Sequence, residues 1–264
     1  MTKKTFVRLT RVHALMPWAV TLTLLAAPAA ARAAELRLLS AAAMQSVFKE
    51  VASEFERTSG HKLIIEYGTI GGIAQRVQSG ETPDFVIGSS LSVPALVKEG
   101  RIQPASEVTI CKTAIGMVVP VGAVRPRLAS VEDFKHALLA AQTIVYADPA
   151  RGGAAGVHIG RVIEQLGLAE ALKPKIRLAA GGDVTEVTLA QGPTALGMTQ
   201  VSEIVQKPDA QLVGLLPDEL QNYTVFVGGI PSAAKQSGAV VDFVKFLSSP
   251  TAVAAIKAKG MQVE

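Results

Sequence analysis

From Glu35 onward the chain alternates short apolar runs with longer amphipathic ones, and that alternation admits few folds. Residues 36–40 read as a buried strand, and residues 42–58 as a helix with Val47, Val51, Ala52 and Phe55 at helical spacing. Gly60 is placed to end that helix in a left-handed conformation that other residues resist. Residues 62–67 return as a strand, 68–72 as a glycine-rich turn, 73–78 as a short helix, 84–88 as a strand and 93–99 as a helix. A β-α-β-α-β order implies a parallel sheet with right-handed crossovers and helices on both faces. Ligands of such sheets bind where loops leave the carboxyl ends of strands.

Residues 108–121 form a longer, nearly unbroken apolar run, expected to leave the first sheet and enter a second. A second series follows, with helices over 131–141, 154–166, 184–190 and 201–205 and strands over 143–147, 175–178 and 195–199. Residues 223–229, rich in aromatic and β-branched side chains, read as another long strand, and 238–247 and 251–258 as closing helices. The expected fold is α/β with two lobes, residues 35–115 plus 228–264 and residues 116–227, each a doubly wound sheet, joined by a two-strand hinge. No short internal repeat is visible, which argues against a solenoid.

Residues 1–33 read as an export signal. Lys3, Lys4, Arg8 and Arg11 precede an apolar stretch over 14–31, no acidic residue occurs before Glu35, and Ala31-Arg32-Ala33 offers the small residues that cleavage after Ala33 requires. Pro17 and Pro28 interrupt the stretch, which argues against a membrane anchor, and the absence of a twin arginine favours the ordinary secretory route to the periplasm. The leader holds five of the 26 basic residues and none of the 22 acidic ones, so residues 34–264 carry 21 basic and 22 acidic groups, a net charge of −1. The basic character of the whole chain therefore belongs to its leader and gives no reason to expect nucleic acid as a partner. The only cysteine, Cys111, has no partner for an internal disulfide and lies in a strand pattern far from the cleavage site, so stability rests on core packing.

Helix starts present unpaired N–H donors and partial positive charge, which suits anions. Three strand-to-helix junctions offer such starts: Ala42, Ala43 and Met44, with side chains small enough for a ligand to touch backbone or for the helix to pack closely on its sheet; Thr69, Ile70 and Gly71 in the glycine-rich turn; and Arg151, Ala154 and Ala155 after the strand ending near residue 147. Arg151 can pair bidentately with a carboxylate or stand solvated. Asp183 and Val184 begin one more helix, Asp183 as an N-cap accepting backbone hydrogen bonds and Val184 as a further N–H donor.

These residues resemble the molybdate-type periplasmic solute-binding proteins of ABC importers, whose fold is the two-lobed, two-crossover (type 2) periplasmic-binding-protein architecture. The resemblance runs through Ala41-Ala42-Ala43, through Gly80-Glu81-Thr82-Pro83-Asp84-Phe85-Val86-Ile87 and Leu96-Val97-Lys98-Glu99-Gly100, and on to Ala155-Gly156 and Leu196-Gly197. It implies a small anionic ligand captured in the interlobe cleft by hinge closure, an inner-membrane ABC permease as partner and action as a monomer. It also implies a site built from a serine at the position of Ala43, a second serine near Thr69 or Ile70, backbone donors at Ala155 and Val184, and a tyrosine at Gln200. Here two or three of those side-chain hydroxyls are missing, and a desolvated dianion depends on charge-assisted hydrogen bonds of roughly 1.5–3 kcal/mol each. Gln200, whose amide both donates and accepts, together with the Thr69 hydroxyl and the positive charge of Arg151 and Lys112, suits an organic carboxylate better than a molybdate-like oxyanion.

A secreted enzyme is the rival from another class. No Gly-x-Ser-x-Gly elbow occurs, His61, His136 and His158 are widely spaced, and no cysteine or histidine cluster has metal-ligand spacing, so no catalytic residue, metal or cofactor is expected. Presentation of the ligand to a membrane sensor uses the same lobe closure as transport. An effector domain of a transcription regulator would lack the leader.

Overall fold

The computed structural model describes residues 1–2, 33–234 and 238–263, so the expected leader lies almost wholly outside the described residues. The strands, in chain order, are β1 (Glu35–Ala41), β2 (Lys62–Gly68), β3 (Phe85–Ser89), β4 (Val108–Thr113), β5 (Ile115–Pro120), β6 (Thr143–Ala147), β7 (Ile176–Ala179), β8 (Ala195–Gln200), β9 (Ala210–Leu215) and β10 (Thr224–Gly229). The helices are α1 (Gln45–Ser59), α2 (Ile70–Gln78), α3 (Ser92–Lys98), α4 (Val131–Ala140), α5 (Ala154–Gln165), α6 (Ala169–Leu172), α7 (Val184–Ala190), α8 (Val201–Ile204), α9 (Gly238–Leu247) and α10 (Pro250–Ala258).

Two five-stranded sheets result, ordered β2-β1-β3-β10-β4 and β7-β6-β8-β5-β9. In the first, β1 pairs in parallel with β2 and β3; in the second, β6 does so with β7 and β8. Each sheet is completed by one antiparallel strand that arrives from the other half of the chain, β10 in the first and β5 in the second. The fold is thus the two-lobed α/β architecture expected. Only Ala114 separates β4 in one sheet from β5 in the other, and residues 216–223 make the return. The Gln221 side chain ties the two crossings together: its Oε1 accepts from the Ile115 N–H at 3.0 Å and its Nε2 donates to the Ile115 carbonyl at 2.9 Å.

Three expectations change. All of β10 pairs in the first sheet, so sheet membership puts the return crossing in residues 216–223 rather than at 227/228. Helix α2 begins at Ile70 rather than at 73, because Thr69 caps it by accepting from the Gly72 N–H at 3.0 Å, which draws both glycines into the first turn. The edge strand β9 was not expected; its residues are mostly half-buried and include Gly214, so no clean alternation marks it.

Each lobe has its own core. In the first, Phe48, Phe55, Phe85, Phe226 and Phe243 are all buried, and the Phe243 ring lies 5.4 Å from Phe55 and 5.7 Å from Phe85. Because Phe243 is on α9, these contacts seat the C-terminal helices on the first lobe. The second core centres on Phe134, Leu138, Ile144, Ile159 and Met198. Gly60 ends α1 with φ 76°, as expected. Cys111 is buried between the sulfurs of Met44 and Met261, at 3.7 and 3.5 Å, and burial pushes its thiol up to about 12, so it is a packing residue.

Candidate functional site

The two lobes meet around a cavity of about 40 Å³. One water needs roughly 10–15 Å³ of such space, so the volume between the lobes suits a small molecule. The first lobe contributes Ala41, Ala42, Ala43, Gly68, Thr69, Ile70 and Phe226 to the wall, and the second contributes Ala147, Gly153, Ala154, Ala155, Gly181, Gly182, Thr199, Gln200 and Glu203. The lobes touch over the cavity mouth. Gly71 N–H donates to the Gly152 carbonyl at 3.0 Å, and Thr69 Oγ1 donates to the Arg151 carbonyl at 2.5 Å. The approach depends on glycine: a Cβ at Gly71 would stand 2.8 Å from the Gly152 Cα. Ser46 Oγ donates to the Ser202 carbonyl at 3.4 Å, a further contact between α1 and the segment after β8.

Two helix starts on opposite walls lack a side-chain cap. Ala41 precedes the 3-10 turn Ala42–Met44, and Gly153 precedes α5, neither with a cap hydrogen bond. The first N–H groups of a helix have no intrahelical acceptor, so those of Ala154 and Ala155 are donors held at the cavity wall. Side chains there are methyl groups or hydrogen, which lets a ligand approach the backbone.

The polar end of the cavity is built by the turn from β8 into α8. Gln200 and Glu203 are both buried. Gln200 Nε2 donates to Thr224 Oγ1 at 3.2 Å, while its Oε1 has no hydrogen-bond partner. The Glu203 carboxyl accepts from the Thr199 hydroxyl through Oε2, and its Oε1 lies 3.6 Å from where a Cβ on Gly182 would sit. Burial pushes the Glu203 carboxyl up to about 7; hydrogen bonds from the Thr199 hydroxyl and the Gln200 backbone N–H oppose the shift, and the negative charges of Glu186 and Asp183 add to it. Glu186 itself is paired with Lys207.

Of the residues singled out from the sequence, Ala42, Ala43, Thr69, Ile70, Ala154, Ala155 and Gln200 line this one cavity. Gly71 closes the mouth with its N–H instead of lining it. Met44 and Val184 are fully buried in the two lobes' cores. The exposed Arg151 side chain lines a wider crevice together with Arg76 and Asp183, which adjoins the cavity through Ala42, Gly68, Thr69, Gly181 and Gly182, and its carbonyl is what meets the opposite lobe. Asp183 precedes α7 without capping it; its Oδ1 accepts from the Gly181 N–H at 2.8 Å. His158 is committed to the Leu220 carbonyl at 2.7 Å, away from the cavity. Sequence reasoning missed Thr199, Glu203 and Phe226. The available signal for Glu203 was one more strand-to-helix junction, Gln200-Val201-Ser202-Glu203, of the same kind as those at Ala42, Thr69, Ala154 and Asp183.

Residues 36–262 match the family model described as "Bacterial extracellular solute-binding protein". The chain is 29% identical to a protein of Pseudomonas sp. named aconitate isomerase, over 86% of this chain and 87% of that one. It is 30% identical to the molybdate-binding protein ModA of Azotobacter vinelandii, over 88% of this chain and 91% of that one. The solved periplasmic molybdate-binding protein of Azotobacter vinelandii superposes with a TM-score of 0.72 at 20% identity, covering 87% of this chain and 99% of that one.

Proposed function

The chain belongs to the bacterial extracellular solute-binding protein family, and from that premise we propose that it is the periplasmic solute-binding component of an ABC importer, closing its lobes around a small organic carboxylate. One observation carries the reading: uncapped helix starts from both lobes and a buried polar end face the same small cavity. A ligand bridging the lobes favours the closed state, which a permease in the inner membrane can then recognise. Both lobes come from one chain, so a monomer suffices.

The preference for a carboxylate over molybdate rests on the donor count. Alanine occupies position 43 and isoleucine position 70, and the two hydroxyls that do line the cavity are committed, Thr69 to the Arg151 carbonyl and Thr199 to Glu203. A tetrahedral dianion has four oxygens to satisfy and no carbon to place against Ile70, Ala147 and Phe226. A carboxylate needs fewer donors and uses those apolar walls. Isothermal titration of the chain lacking residues 1–33 with molybdate, tungstate, sulfate, succinate, malate, citrate, cis-aconitate and glutaconate tests this. Heat from at least one carboxylate and none from the oxyanions is expected; nanomolar binding of molybdate sinks the preference.

In the same titrations Arg151→Ala is expected to shift affinity by less than roughly fivefold, the effect of a solvent-screened charge outside the cavity. A larger loss would put its guanidinium on the ligand.

A second reading, an isomerase acting on an unsaturated carboxylate, is favoured by one specific feature, the buried Glu203 carboxyl in the cavity wall, together with the relative named aconitate isomerase.

A further inference from the structure

Glu203 is placed where neither structural economy nor anion binding calls for a carboxyl. It is 8% exposed, and the charged groups that act on it are Glu186 on α7 and Asp183 ahead of α7, both acidic, with Lys207 spent on Glu186. No ion pair to Glu203 occurs among the described residues. A buried carboxyl without an ion-pair partner costs stability, and such groups cluster at functional sites. It lines the cavity that also receives the N–H groups of Ala154 and Ala155 at the start of the twelve-residue helix α5. The adjacent Gln200, 5% exposed, turns an unpartnered Oε1 into the same wall. The cavity therefore brings together a carboxyl held by the Thr199 hydroxyl and a set of fixed donors suited to a second, negatively charged group.

We infer that Glu203 is an acid–base residue that moves a proton between two carbons of a bound unsaturated carboxylate. This rests on the carboxylate reading above and deepens it. The substrate class is a di- or tricarboxylate with a CH₂ between a carboxylate and a carbon–carbon double bond. The Glu203 carboxylate takes a proton from that CH₂, and the C–H electron pair spreads over the allylic carbons and the adjoining carboxylate. The added charge on the carboxylate oxygens is met by the backbone N–H groups of Ala154 and Ala155, fixed dipoles that need no reorganisation. The protonated Glu203 then returns the proton to the far allylic carbon, so the double bond moves by one position and one C–H bond is broken for each one formed. No oxidant, metal or further reactant enters. A carboxyl raised toward neutrality by burial is suited to both halves of the step.

The test uses the full chain without its leader, in D₂O, with cis-aconitate and glutaconate as probes. Proton NMR follows deuterium entering the CH₂ and vinyl positions, at ligand concentrations that calorimetry shows to be saturating. Wild-type protein is expected to exchange both positions and to interconvert the aconitate isomers. Glu203→Gln, compared at equal occupancy, is expected to be slower by roughly 100-fold or more, the usual contribution of a positioned acid–base group. The wild-type exchange rate is expected to rise with pH as the carboxylate form appears, a profile that stands even if the variant folds poorly. Wild-type protein that is saturated yet neither exchanges the probe nor interconverts the aconitate isomers overturns the inference while sparing the binding reading. Undiminished exchange in Glu203→Gln removes Glu203 from the role. If no carboxylate of the panel binds, the reading beneath the inference falls with it.

Discussion

Replacing Gly71 by valine is expected to weaken ligand binding roughly ten- to hundredfold while leaving both lobes folded, because overpacking a tight contact costs about 1–3 kcal/mol and each 1.4 kcal/mol is a factor of ten. Gly71 and Gly152 approach so closely that a Cβ on the former would stand 2.8 Å from the Cα and 3.2 Å from the carbonyl oxygen of the latter. Both neighbours are backbone, so nothing flexible can move aside. The added side chain would also break the Gly71 N–H bond to the Gly152 carbonyl, and with it the register of the Thr69 hydroxyl on Arg151. None of these contacts lies inside a lobe core, and Gly71 is in the first turn of α2 with no need for positive φ. The penalty therefore falls on closure alone, and the apparent affinity drops in proportion to the lost closed population. Calorimetry reads the affinity, small-angle scattering the failure of the radius to contract on ligand addition, and thermal unfolding the intact lobes. Wild-type affinity in Gly71→Val would mean that binding does not require the closed contact.

How much of this was legible in the sequence differs by level. Local order was: the β-α-β series, the apolar run that crosses at Ala114, and Gly60 as a helix end all follow from patterns within a few residues. The cavity walls at Ala42, Ala43, Thr69, Ile70, Ala154 and Ala155 followed as well, since the ends of parallel strands and the starts of their helices must gather at one edge of each sheet. What escaped depends on partners distant in the chain. Whether residues 224–229 close the first sheet or the second is decided by pairing with β3 and β4, more than 110 residues earlier, and not by their own composition. Val184 and Met44 sit at helix starts but turn their side chains into the cores, which a one-dimensional pattern cannot distinguish from facing the cleft. Glu203 looks like an ordinary polar residue of a short helix. Its burial is imposed by Thr199 beneath it, Gly182 beside it and the opposing lobe, where Ala42 meets Gly182 and Ser46 meets Ser202.

That burial has a cost that pH should expose in the unliganded protein, whatever the ligand proves to be. Glu203 moves from an ordinary value of 4.5 to about 7 on folding, through desolvation that Thr199 and the Gln200 N–H only partly offset. Between those values the native state holds a proton that the unfolded chain has released, so stability falls as pH rises. The contribution is fully present below 4.5 and is lost through about 7. At about 1.36 kcal/mol per unit the whole change amounts to about 3 kcal/mol. The carboxylates whose values are lowered by surface arginines and lysines, among them Glu54, Glu66 and Glu81, act in the opposite sense and below 4.5, so they leave this window clear. Urea unfolding from about pH 5 to 8 should therefore show wild-type stability declining relative to Glu203→Gln, whose amide keeps the shape of the protonated carboxyl and cannot ionise. The subtraction removes every other titrating group common to the two proteins. A wild-type curve that runs parallel to that of Glu203→Gln across the window would mean that the carboxyl is already solvated or paired in solution, and neither its burial nor a proton poised for transfer could then be maintained.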